Sequence, residues 1–221
     1  MSGIVGSRFN IRGSGLVGSL GTDGQVFTSS GAGAGAVFEA AGGGDFVTVS
    51  AADSTVRTTA TIDVSLPAGY QAFQLAIRMW PNDDNQKLYA RFSIDDASSY
   101  VSAGYYWGFL NINSDTDGDL DQEHGDDEAI MQINGSEGYD GNEGGYHIID
   151  ILPSEGNASY SSNNNIAWRG WRMDTSANFR ATFGSGVLWA SGQTDRATHF
   201  RLYYDDGTIW KHHYTLYGKK T

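Results

Sequence analysis

Ala72-Phe73-Gln74-Leu75-Ala76-Ile77-Arg78-Met79-Trp80 decides the fold. Phe73, Leu75, Ile77 and Met79 recur at every second residue, with Gln74, Ala76 and Arg78 between them. A period of two places the two sets on opposite faces of a strand, one toward a core and one toward solvent. Pro81-Asn-Asp-Asp-Asn85 follows as a turn cluster. Lys87–Ile94 then repeats the alternation with Leu88, Ala90, Phe92 and Ile94 on one side.

Working outward, the same signal recurs. Phe46-Val-Thr-Val49, Thr55–Val64, the aromatic Tyr105–Ile112, Glu128–Ile133, Tyr146–Leu152, Ala167–Met173, Phe179–Phe183, Val187–Ala190, His199–Tyr204 and Thr208–Tyr217 all read as strands. Between them lie Asp95-Asp-Ala-Ser-Ser99, Asn134-Gly135 as a hairpin-type turn, Asp205-Asp-Gly207, and loops over 113–127, 135–145 and 156–165. No segment sustains a period of 3.6. Short strands at regular spacing predict an all-β, jelly-roll-like antiparallel β-sandwich over residues 46–221.

Residues 1–45 differ in composition. Gly, Ser and Ala dominate, and Gly31–Ala36 is a strict Gly-Ala repeat. Apolar residues come singly or in pairs: Ile4, Val5, Phe9, Ile11, Leu16, Val17, Val26 and Phe27. So many glycines make ordering costly, and the segment cannot build a core by itself. It is either an unordered leader or an extended arm that anchors the chain by ordering against another subunit. The recurring apolar residues favour the arm, since a pure Gly/Ser linker has no use for them.

Composition narrows function. The chain carries 14 basic and 26 acidic residues, a formal charge of −12. Nucleic-acid binding needs clustered Lys and Arg, so no nucleic-acid partner is expected. With no cysteine, disulfides and thiolate metal sites are excluded. Met1–Arg8 has no basic region leading into a long apolar run, so a cleaved secretory leader is not expected. No stretch approaches the roughly 18 apolar residues of a membrane span, and no membrane partner is expected.

The strongest local chemical pattern is Asn113-Ser-Asp-Thr-Asp-Gly-Asp-Leu-Asp-Gln-Glu-His124. Asn113, Asp115 and Asp117 alternate as oxygen ligands do in a calcium loop, Gly118 supplies the sharp turn, and Asp119 and Asp121 follow. His124 stands where a bidentate Glu is expected, and the flanks read as strands. This is no EF-hand, but either a loop-held Ca²⁺ site or an outward acidic insertion. No motif selects a carboxylate pair for glycoside hydrolysis. His212 and His213 are adjacent on a strand, so they face apart, and Gly184-Ser185-Gly186 lacks a nucleophile elbow's spacing. No catalytic residue is assigned, no cofactor is required, and the chain is read as a non-enzyme. Among six Trp, most are expected in core or subunit packing. Trp168 and Trp171, with Arg169 and Arg172, are the candidates for a surface contact.

Several of these stretches resemble virion proteins of marine tailed phages, cyanophages among them. Met1–Gly15 and Gly21–Gly31 look like the leader of such proteins. Arg91-Phe-Ser-Ile-Asp95, Ser98-Ser-Tyr100, Gly104-Tyr-Tyr-Trp107, Gly207-Thr-Ile209 and Tyr214-Thr-Leu-Tyr-Gly218 are similar to the strands and turns of a sandwich module in phage head-decoration and fibre proteins. The resemblance implies a virion location and a structural role, as a capsid decoration or head-fibre component. It also implies capsid or tail proteins as partners and a homo-oligomer, by analogy a trimer. The alternative is a tail or fibre protein that binds host surface glycan through the three loops.

Overall fold

The computed structural model describes residues 25–28, 37–40, 46–54, 59–114, 120–139, 143–155, 163–189 and 195–220. The chain divides into two compact units, Met1–Gly44 and Asp45–Thr221. In the first, β1 (Gln25–Thr28) and β2 (Val37–Ala40) pair antiparallel. Of the apolar residues assigned to an anchoring arm, Val26 and Phe27 lie in β1, while Ile4, Val5, Phe9, Ile11, Leu16 and Val17 lie outside the described residues.

The second unit is an all-β sandwich, and the described residues contain no helix. Its strands are β3 (Phe46–Ser54), β4 (Ile62–Ser65), β5 (Tyr70–Pro81), β6 (Gln86–Ser93), β7 (Tyr105–Asn113), β8 (Leu120–Glu128), β9 (Met131–Glu137), β10 (Gly144–Leu152), β11 (Asn164–Met173), β12 (Phe179–Leu188), β13 (His199–Tyr204) and β14 (Ile209–Lys220). Eight form one sheet, in the order β3-β14-β5-β10-β11-β12-β7-β8, and four form the other, β4-β13-β6-β9. The alternation read at residues 72–80 holds: Phe73, Leu75, Ile77 and Met79 are all buried. They meet Leu88, Ala90 and Phe92 of β6 and Phe200 and Leu202 of β13 in one core. Burying such apolar surface supplies the main stabilisation, about 25 cal/mol per Å².

Three elements depart from the sequence reading. Residues 120–127, expected within a loop, form β8 (Leu120–Glu128) at the edge of the large sheet, and Glu128 ends this strand instead of opening the next. Asp121, Glu123, Asp126, Asp127 and Glu128 hide its strand character, because their composition reads as a solvated insertion. On an edge strand such charges repel a second strand. Asn134-Gly135 is no turn but part of β9. There the β6–β9 register shifts, and the Asn134 side chain accepts the Leu88 N–H at 3.0 Å in place of a backbone carbonyl. Residues 179–188 form one strand rather than two separated by Gly184-Ser185-Gly186. A Cβ on Gly184 would sit 2.3 Å from the Trp168 ring, so glycine here makes room for an indole.

The turn after β6 carries the first prediction. Asp96 and Ala97 have φ of 56° and 65°, the left-handed pair of a type I′ turn without the glycine that eases it. The Asp95 carboxylate holds this turn, accepting from Ser99 Oγ at 2.5 Å, Ser99 N at 2.9 Å and Ser93 Oγ at 2.7 Å. The Ser99 and Ser93 bonds favour the ionised form and lower its pKa to about 2 from 3.8. A depressed acid contributes stability that is present above its unfolded value and lost as pH falls through the folded one. Carboxyl NMR should find Asp95 titrating near 2. The turn should loosen between pH 3.8 and about 2, and Asp95→Ala should remove that part of the acid transition.

Candidate functional site

Strand pairing fixes what each face of the large sheet displays. Following the pairs outward from β10, one transverse row runs Asp53, His213, Arg78, Tyr146, Trp171, Ala181, Ile112 and Leu120, one residue from each of the eight strands. The next row runs Ala51, Thr215, Ala76, Ile148, Arg169, Phe183, Leu110 and Gln122. These residues are on the face away from the core. The first row grades from charged on the β3 side through aromatic in the middle to aliphatic on the β8 side, and the second runs from small residues on the β3 side to Phe183 and Leu110 before ending at Gln122.

The apolar end is exposed. Leu110 faces Phe183 across the β7–β12 pair, and Ile112 faces Leu120 across β7–β8. With Phe179 they range from 41% exposed at Ile112 to 65% at Leu120. Trp171 links this end to the centre, its ring centroid 6.2 Å from Phe179 and 6.5 Å from Tyr146. Scattered apolar residues on a surface need no explanation, whereas cross-strand neighbours forming one patch make this end a candidate interaction surface.

This geometry corrects half of the expected surface contact. Trp168 and Arg172 are each only 3% exposed. Residues of one strand alternate between faces, so the even-numbered pair turns into the sandwich while Arg169 and Trp171 turn out. Arg169 is half exposed and lies 3.2 Å from Asp150. The two histidines divide as their adjacency requires: His212 is buried, and His213 faces out, 2.9 Å from Asp53. Burial pushes the His212 imidazole below its ordinary value, helped by its neighbour His213.

Arg172 instead anchors a polar cluster between the sheets that the sequence did not reveal. Its Nε donates to the Ser136 carbonyl at 2.9 Å, and its Nη1 to Asn111 Oδ1 at 2.9 Å and Thr182 Oγ1 at 3.0 Å. Beside it, the buried Glu137 accepts from Tyr204 Oη at 2.5 Å and from Asn134 Nδ2, with His147 Nε2 at 3.2 Å. Burial, then Glu137, pushes the Tyr204 phenol well above its ordinary value. Burial lowers the Arg172 guanidinium, and the charge of Glu137 opposes that shift. Glu137 and His147 have fully buried side chains, so this cluster forms part of the core between the sheets.

No family model, curated protein or solved structure matches the chain.

Of the residues read as calcium ligands, Asp115, Asp117 and Asp119 lie outside the described residues. Asn113 and Asp121 are joined across β7–β8 by a 3.2 Å bond from Asn113 Nδ2. Arg180 already serves both: it donates to Asn113 Oδ1 and stands 3.6 Å from Asp121 Oδ2, while its other contact is Asp174 at 2.7 Å. Among the described residues no three acidic or histidine side chains gather as a metal site.

Proposed function

We propose that this chain is a non-catalytic structural component of a phage virion, a capsid decoration or head-fibre protein. Residues 1–45 would tie it to capsid or tail proteins, and the sandwich would pack on further copies, in a trimer by analogy. The observation that carries the assembly role is the exposed apolar end of the large sheet, Leu110, Ile112, Leu120, Phe179 and Phe183. A surface of this kind gains most when a partner covers it. The phage setting rests on the leader and turn motifs quoted above. The acidic edge strand β8 fits such a part, since charges there keep copies from pairing edge to edge while their faces stay free.

The role is tested by Leu110→Lys combined with Phe183→Lys. Both side chains are about half exposed, so each change should cost no more than about 0.5 kcal/mol of stability. Sedimentation should show the wild type as an oligomer and the double variant as a monomer. Particles assembled with the variant should lack it by immunolabelling, where wild-type protein decorates each particle in many copies. Normal incorporation of the double variant would rule out this face as the docking surface.

A further inference from the structure

The opposite end of the same face has different chemistry. Asp53, His213 and Arg78 stand in line with Tyr146 and Trp171, and the neighbouring row is small: Ala51, Thr215 and Ala76. Together they line a shallow open depression. We propose that this depression is a carbohydrate-binding site, in which Tyr146 and Trp171 form the stacking platform and Arg78, His213 and Asp53 hold hydroxyl groups. The inference stands whether or not the chain belongs to a particle.

A sugar offers apolar C–H faces and a rim of hydroxyls that donate and accept. It is held by aromatic rings beside a few fixed polar groups. Each part is present. The Tyr146 and Trp171 rings are neighbours at 6.5 Å, tilted by 34°. Arg78 is held over the Trp80 ring, 4.5 Å from its centroid, and lines the depression. His213 and Asp53 are paired at 2.9 Å with 43% and 64% of their side chains exposed, so both a donor and an acceptor reach solvent. The small side chains of Ala51, Ala76 and Thr215 leave the floor beside the two rings uncovered.

The same features argue against other ligands. Strands β14, β5, β10 and β11 are each paired on both sides. Of the strands lining the depression only β3, at its rim, is an edge strand, so an extended peptide could pair its backbone there alone, and recognition over the rest of the floor falls to side chains. A phosphate-rich polymer would meet Asp53 and a chain of net charge −12. A purely apolar partner would strand Asp53, His213 and Arg78 without water.

The test is calorimetric titration of the full chain with four soluble hexasaccharides: cellohexaose, maltohexaose, chitohexaose and hexagalacturonate. At least one should bind saturably. Trp171→Ala and Arg78→Ala should each weaken it about tenfold or more, a loss of about 1.4 kcal/mol. Trp171→Phe keeps a ring and should retain most of the affinity, which separates lost stacking from a disturbed fold. Trp189→Ala, an exposed indole outside the depression, should bind as the wild type does. The proposal fails if no hexasaccharide binds below about 10 mM. It fails equally if binding survives Trp171→Ala and Arg78→Ala, since the loops would then hold the sugar. Saturable binding of an extended peptide, lost in Trp171→Ala, would reassign the depression to a protein partner.

Discussion

Arg172→Ala is expected to destabilise the sandwich by about 3–5 kcal/mol, the cost of breaking a buried charged network by removing one member. Arg172 is buried between the sheets, and its guanidinium satisfies Asn111, Thr182 and the Ser136 carbonyl. Without it these acceptors lose their donor and Glu137 loses the positive charge that compensates it. Glycine at 135 shows how closely the network is fitted, because a Cβ there would lie 2.6 Å from Arg172 Nη2. Urea denaturation checks the size of the loss. A double-mutant cycle with Glu137→Gln checks its cause: removing the carboxylate charge in the Arg172→Ala background should recover at least about 1 kcal/mol. A loss below about 1 kcal/mol, or additivity in the cycle, would mean that Arg172 is held by packing alone.

Arg172 also shows where the sequence stops being informative. The alternation at Phe73–Met79 was legible because a core of apolar residues and a solvent face obey the same period. That rule assigns inward positions by hydrophobicity, and β11 breaks it. Asn164, Ile166, Trp168 and Arg172 are buried, while Trp171 faces out. Read by composition, the two Trp-Arg pairs look equivalent; only the pairing register separates them. The same loss of information explains Asn134-Gly135. Its residue types match a hairpin turn, but the amide is spent on Leu88 and Glu137, and the glycine on Arg172. The outer face was hidden for a different reason. Leu110, Phe183, Ile112 and Leu120 are neighbours only once three strands lie in the order β12-β7-β8, which no local pattern encodes. The two-residue period could show that a second face existed on each strand, though not that these faces summed to a graded surface.

Gly170→Ala is the second large effect, and it couples that surface to the interior. Gly170 lies opposite His147 in the β10–β11 pair. An added Cβ would stand 2.3 Å from the Tyr146 carbonyl oxygen and 2.5 Å from His147 Nδ1. The first is backbone and the second belongs to a fully buried ring, so neither yields cheaply. Overpacking of this kind costs about 3 kcal/mol. Relief requires β10 and β11 to separate, which shifts Tyr146 against Trp171 and loosens His147 at Glu137. The expected result is thus two-sided: a fall in the urea midpoint, and altered near-ultraviolet circular dichroism from the displaced aromatic pair. Gly108→Ala is the matched control on the same sheet. Its Cβ would meet the Glu123 carbonyl oxygen at 3.6 Å and the His124 Cβ at 3.7 Å, which are ordinary contacts. There the loss of chain entropy in the unfolded state should stabilise the protein by about 0.4–1 kcal/mol. Equal effects at the two glycines would show that the β10–β11 interface is slack, and that the position of Tyr146 beside Trp171 is not set by the close approach of these strands.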